Sequence, residues 1–283
     1  MESLAPWLDR SLKQAWLACD ESRLHHAFLV DSRPGWGADN FAAAWAAQLV
    51  GIEGDPRETA HPDVLWIEPD GSSLKIDQMR EIIEFVGRSV QIGARKVVVV
   101  DCVETATIGA SNAILKSLEE PAPNAHLILV TNAIDQLLPT IRSRCQRIAL
   151  DSATEEECRD WLLGNGMNED EIESLLIEYG NAPYSIFDAW QQKVASLRTR
   201  LLEVWNQPQR TVHLAGELRN AEIDDLLVRW MRLTERFAKS GQNHQVHLFW
   251  DDLVAARRSF YNVGSLNKQL QIERLLIRWS QLR

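Results

Sequence analysis

Arg95–Cys145 reads RKVVVVDCVETATIGASNAILKSLEEPAPNAHLILVTNAIDQLLPTIRSRC, and the fold is decided within it. Val97–Val100 is a short β-branched run ending on Asp101. A strand buried on both faces, as in a parallel sheet, delivers a carboxylate to its C-terminal edge in this way. Ala110, Ile114 and Leu118 then recur at i, i+4, i+8 and predict a helix. Glu119-Glu120-Pro121 ends it, because proline lacks the N–H and clashes with the preceding turn. His126–Val130 is a second strand-type run leading to Thr131 and Asn132, and Leu137–Ile141 is a further helical pattern that presents Arg142, Ser143, Arg144 and Cys145.

The same alternation extends toward the N-terminus. Leu4, Leu8, Leu12 and Trp16 predict an amphipathic helix within Leu4–Cys19, and His26–Val30 a first strand. Asp39–Val50 is an alanine-rich helix, Val64–Ile67 a second strand, Ile76–Val86 another helix and Arg147–Leu150 a last strand. Strands alternating with helices imply a parallel α/β sheet covered on both faces. Beyond Leu150 only helices are expected. Asp151–Thr154 followed by Glu155–Glu157 is a helix start, and Gly164–Met167 and Gly180–Pro183 are breaks. The division read from this is an α/β domain over 1–150, a small helical domain over 151–200 and an all-helical domain over 201–283.

The 283 residues carry a net charge of −10, with 45% hydrophobic and 25% charged residues. That composition is globular. No apolar run approaches the ~20 residues of a membrane span, and MESLAPWLDRSLKQAW lacks the basic and apolar regions of a signal peptide. Cys19, Cys102, Cys145 and Cys158 lie far apart without a CxxC pair. Neither a disulfide framework nor a metal centre is expected, and the compartment reads as cytoplasmic. An acidic chain is repelled by DNA, so any nucleic-acid role is local or shared with partner chains.

Between the first strand and the alanine-rich helix stands Ser32-Arg33-Pro34-Gly35-Trp36-Gly37-Ala38-Asp39. Strand, glycine-rich turn, helix is the setting of a phosphate-binding P-loop, whose working form is G-x-x-x-x-G-K-[ST]. With Gly37 as the second glycine, Ser32 takes the first position, Ala38 the lysine position and Asp39 the hydroxyl position. The charge on the terminal phosphates and the Mg²⁺-holding hydroxyl are both absent, and Asp39 repels phosphate. Gly35 and Gly37 still permit the turn, and a surface turn with no phosphate history explains them equally well. The acid after the third strand, Asp101, is followed by Cys102, where an ATPase carries a catalytic glutamate; Glu104 lies too far along to replace it.

Val97–Asp101, SNAILKSLEEPAPN (Ser111–Asn124) and LLPTIRSRCQ (Leu137–Gln146) together resemble the AAA+ clamp-loader family, in particular the delta-prime subunits of bacterial DNA polymerase III. His25–Val30, His61-Pro62-Asp63 and Ile76–Arg80 match in the same order, so the resemblance spans nearly all of the first 150 residues. It implies an AAA+ α/β domain, a helical lid over 151–200 and a C-terminal helical collar over 201–283 that holds a pentameric ring together. It further implies a subunit that is no ATPase by itself, binds no cofactor of its own and works beside ATP-binding motor (tau/gamma-type) and delta subunits. Contacts with the sliding clamp, indirectly, and with primer-template DNA follow from the same resemblance.

In the family, the arginine of the Ser143-Arg144-Cys145 motif reaches in trans to ATP on a neighbouring motor subunit. An arginine finger stabilises charge on the transferred phosphoryl. Two departures stand out. Ser185 occupies the place of the lid's nucleotide-sensing arginine, and Val50–Ala60 holds none of the cysteines of the zinc module found in relatives. The competing reading is a free-standing nucleotide-binding AAA+ regulator or atypical P-loop NTPase, against which Ala38, Asp39 and Cys102 speak.

Other signals are weaker. Lys116 beside Glu119 and Glu120 suggests local ion pairs on a helix face. His25, His26, His61 and His126 read as capping or core residues, and the cysteines as buried thiols. Trp190, Trp205, Trp230, Trp250 and Trp279 read as core or as anchors between subunits. Arg80, Arg88, Arg95 and Lys96 suggest a basic face toward DNA.

Overall fold

The computed structural model describes residues 4–19, 24–240, 244–262 and 266–282. It separates into two compact units, Met1–Trp161 and Leu162–Arg283. In the first, five strands, β1 (Ala27–Asp31), β2 (Val64–Ile67), β3 (Lys96–Val100), β4 (Ala125–Thr131) and β5 (Gln146–Ala149), form one sheet in the order β2-β3-β4-β1-β5. Every pairing is parallel. The helices of this unit are α1 (Pro6–Leu17), α2 (Ala38–Val50), α3 (Ile76–Gly87), α4 (Ile108–Glu119), the single turn α5 (Pro139–Arg142), and α6 (Glu155–Gly164), which carries the chain across the boundary.

Side chains alternate across the sheet as the strand period requires. Leu29, Val98, Val100, Leu127 and Leu129 pack with Met79, Ile82, Ala110, Ile114 and Leu118 of α3 and α4. On the opposite face Phe28 meets Trp45 of α2 edge-on at 5.3 Å, and Trp45 also meets Trp16 of α1. With helices on both sides, α2 must be apolar almost all round, which is why it is built from alanines, Phe41, Trp45 and Leu49.

Two buried charges shape the loop between α3 and β3. The carboxylate of Asp63, fully buried, accepts from the N–H groups of Gln91, Ile92 and Gly93 at 2.7, 2.8 and 3.2 Å. Burial opposes its charge, but these donors outweigh burial and hold the carboxyl below its usual range. Lys96, 2% exposed, donates to the carbonyls of Phe85, Arg88 and Ser89 at the end of α3 and lies over the Phe85 ring. Lys96 is therefore a helix-end cap and not part of a face for DNA. Arg80 and Arg88, expected on that face, are engaged by Asp77 and Glu84 of their own helix.

The second unit continues with α7 (Glu169–Tyr179), α8 (Pro183–Gln191), α9 (Leu197–Asn206), α10 (Thr211–Leu218), α11 (Ile223–Ser240), α12 (His244–Asn262) and α13 (Lys268–Ser280). Leu197, Leu201 and Val204, on both sides of the boundary expected at residue 200, share one core with Trp230, Phe249 and Trp279. Trp279 donates to the Leu201 carbonyl at 3.1 Å, and Trp205 packs edge-on against it. Trp230 and Trp279 are thus core residues, whereas Trp250 remains 39% exposed. Glu178, 1% exposed, accepts from Leu197 N, Ser196 Oγ and Arg229, tying the end of α7 to the starts of α9 and α11. Gly180 has a positive φ of 63°, and a Cβ there would lie 3.3 Å from Cζ of Arg232.

Candidate functional site: an acidic crevice and an arginine edge

Because β4 is inserted between β1 and β3, the chain reverses direction across the sheet beside β1. The crevice at the C-terminal ends of such strands is where open α/β sheets bind ligands. Three segments meet there: the turn after β1, Asp101 after β3, and Thr131-Asn132 at the end of β4. The N–H of Ser32 donates to the Thr131 carbonyl at 3.1 Å, which joins the first segment to the third.

The turn itself is well anchored. Trp7 of α1 donates from Nε1 to the Trp36 carbonyl at 3.0 Å, and the Arg33 guanidinium lies over the Trp36 ring. Gly37, at the N-cap of α2, takes φ 82° and ψ 38°, a left-handed conformation that glycine adopts without penalty. Ala38 is buried. Asp39 is gripped by Arg57, whose NH1 lies 2.8 Å from the carboxylate. Arg57 also bonds Asn40 and Asp55 and covers the Trp66 ring. The cysteine-free Val50–Ala60 segment is thus ordered by a guanidinium that ties it to the first turn of α2.

Carboxylates crowd the crevice. Burial raises the Asp101 carboxyl above its ordinary range against the opposing Cys102 N–H bond at 2.8 Å, and the charges of Asp39 and Glu68 push the same way. Cys102 sits in a left-handed backbone conformation at φ 48°. Burial, then the charges of Asp101 and Glu104, push its thiol up to about 12. Glu104, set aside on spacing, does reach the site: Oε1 accepts from the Asn132 N–H at 3.2 Å, while Oε2 is buried with no partner. The short helical turn Val103–Thr105 folds it back, a geometry that strand-to-helix counting does not reveal. A phosphate entering here meets acids where a nucleotide site offers lysine and Mg²⁺.

The Ser143-Arg144-Cys145 segment follows α5. Leu137 and Ile141 are buried in the sheet core, and Cys145 packs against it. Burial raises the Cys145 thiol to about 12 and that of Cys158 to about 11, so neither is a ready thiolate. Cys158 is buried as expected, whereas Cys102 and Cys145 are partly exposed. The Arg144 backbone is fixed by its N–H to Ile141 and that of Ser143 to Pro139. Its guanidinium places NH2 2.6 Å from Glu119 and NH1 3.0 Å from the Thr140 carbonyl. Glu119 therefore pairs with Arg144, and among the described residues Lys116 forms no ion pair with Glu119 or Glu120.

The histidines are structural: His26 bonds the Leu118 carbonyl at 2.9 Å and His126 the His25 carbonyl at 2.9 Å. Among the described residues no group of three or more metal-ligating side chains converges, and no helix is long and apolar enough to cross a membrane.

Comparison with known proteins agrees with this architecture. The family model described as "DNA polymerase III, delta subunit" matches residues 9–154. The chain is 29% identical to DNA polymerase III subunit delta-prime of Pseudomonas aeruginosa, over 91% of this chain and 92% of that protein. It is 30% identical to the delta-prime subunit of Haemophilus influenzae, over 72% and 67% respectively. A crystal structure of a DNA polymerase III gamma subunit-related protein from Thermotoga maritima superposes with a TM-score of 0.64 at 21% identity, covering 98% of this chain and all of that one. The parallel α/β fold is therefore that of P-loop, clamp-loader-type structures, and the chain belongs to the DNA polymerase III delta-prime family.

Proposed function

We propose that this chain is a non-catalytic subunit of an ATP-dependent clamp loader, and that it supplies Arg144 in trans to ATP held by a neighbouring motor subunit. The observation that carries the reading is a contrast within one domain. The crevice bears Ala38, Asp39 and Cys102 where a nucleotide site needs lysine, hydroxyl and a catalytic glutamate. Arg144, by contrast, is a backbone-fixed guanidinium with a 34% exposed side chain. A chain that cannot hold phosphate itself but presents an ordered arginine has the parts of a finger donor. Motor and delta chains, the sliding clamp and primed DNA are the partners, the compartment is the cytoplasm, and the chain needs no nucleotide or metal of its own. From residue 151 the helices up to α8 serve as a lid and α9–α13 as the collar that assembles the ring, the boundary expected at residue 200 moving to the start of α9, whose Leu197 belongs to the C-terminal core.

The test is ATP hydrolysis by the complex reconstituted with motor and delta partners, stimulated by clamp and primed DNA. Arg144→Ala is expected to lower the turnover of the neighbouring site by about 10³-fold or more while assembly is retained. An unchanged rate in an intact complex refutes the finger and leaves this chain a structural wedge.

A further inference from the structure

Glu119 is the last residue of α4. A carboxylate is unfavourable there, since the helix C-terminus already carries partial negative charge. What offsets it is Arg144, whose NH2 lies 2.6 Å from Glu119 Oε1. The other arm of the same guanidinium is also taken: NH1 donates to the Thr140 carbonyl at 3.0 Å and lies 3.4 Å from Ser143 Oγ. With NH1 turned to Thr140 and Ser143 and NH2 on Glu119, the end-on edge of the fork, one N–H from each terminal nitrogen, is not presented to two phosphoryl oxygens.

We infer that Glu119 is a positioning residue for Arg144: it holds the guanidinium in a docked state that must open before the finger can reach a phosphate on another chain. This rests on the finger reading above. The contact is suited to such a role because it is weak. The side chains of Arg144 and Glu119 are 34% and 50% exposed, and ion pairs at that exposure are readily exchanged. A bidentate phosphoryl contact displaces it. Only the side chain has to move, because Ile141 and Cys145 anchor the backbone on either side in the sheet core. The device also adds a polar link between two motifs that share the sheet core, the end of the LKSLEEP helix and the Ser143-Arg144-Cys145 turn.

The experiment uses the reconstituted complex, with ATP hydrolysis measured without clamp or DNA for wild type, Glu119→Gln, Arg144→Ala and the double variant. Glu119→Gln keeps size and an acceptor but removes the competing charge. The expected result is a three- to fivefold rise in the unstimulated turnover, with KM for ATP unchanged, and no effect of Glu119→Gln once Arg144 is alanine. A merely structural Glu119 would not produce that dependence on Arg144. If Arg144→Ala lowers hydrolysis but Glu119→Gln leaves it unchanged or lowers it, the docked state is overturned and the finger stands. If Arg144→Ala has no effect, the finger reading falls and the role of Glu119 with it.

Discussion

Glu178 offers a sharp test of how the second unit is held together. Its carboxylate, 1% exposed, satisfies the Leu197 N–H, the Ser196 hydroxyl and Arg229 NH1 at 2.8–3.1 Å. Arg229 also bonds the Tyr179 hydroxyl at 3.0 Å, lies over the Tyr179 ring and faces Asp225 at 2.9 Å. Glu178→Ala leaves a buried N–H without an acceptor, at about 1–3 kcal/mol. It also breaks one side of a buried ion pair, where removing a partner costs about 3–5 kcal/mol. Because Asp225 still faces Arg229, and the two costs overlap, the expected total is about 3 kcal/mol, the low end of that range. Glu178→Gln retains an acceptor and is expected to cost about half as much. Since two compact units need not unfold together, amide hydrogen exchange across α9 is a better assay than a single melting curve. Protection there should fall by about two orders of magnitude in the alanine variant. A loss of less than tenfold, or equal losses in the alanine and glutamine variants, would refute the claim that the charge organises this junction.

Two further predictions concern the first unit. Asp63→Asn removes the charge that its three backbone donors stabilise and should cost about 2 kcal/mol at pH 7, read by denaturant unfolding. Because the folded carboxyl is held below its ordinary range, that contribution is present above about pH 4 and is lost as pH falls through the lowered folded value, so the gap to wild type should close in acid. Asp101→Asn should instead stabilise, by about 1 kcal/mol at neutral pH, because burial first and the charges of Asp39 and Glu68 second disfavour its ionised carboxyl. Here the folded carboxyl is raised, so wild type matches the variant below the unfolded value and falls behind as pH climbs through the folded one. A melting-temperature difference that shrinks from pH 4 to pH 7 would contradict the crowding.

The sheet was legible because its central strands, β1, β3 and β4, are buried on both faces, and such strands must be nearly continuous apolar runs. Val97–Val100 could be read directly on those grounds and α2 from its alanines, whereas Val64–Ile67, half-buried at the sheet edge, was legible from its short apolar run alone. The single turn of α5 and the Val103–Thr105 turn are too short to carry a period, so the fold-back of Glu104 was hidden. Charged residues misled for a related reason. Lys96 reads as solvated until the carbonyls at the end of α3 are in place around its ammonium. Spacing along a helix assigned Glu119 to Lys116, three residues before it, but its true partner, Arg144, comes from the turn after α5. Arg57 gave no signal at all, because its meaning lies in the distant Asp39. Local rules see neighbours in sequence, whereas these ion pairs are products of topology. The finger role proposed for Arg144 rests on the resemblance of motifs, since composition alone gives a solvated basic edge.

The acidic crevice and the arginine edge draw on different supports. The crevice is lined by loop ends: Ala38 and Asp39 at the start of α2, Cys102 in a turn after β3, Glu104 folded under Asn132. The acids gathered there repel one another, and Arg57 relieves that repulsion at Asp39. The arginine edge is fixed from the core outward, through Leu137, Ile141 and Cys145, and none of these belongs to the crevice. Changes that abolish phosphate binding therefore leave the backbone of Arg144 where it was. A fold arranged in this way can stop handling a nucleotide of its own and still present an ordered guanidinium to one held by another chain.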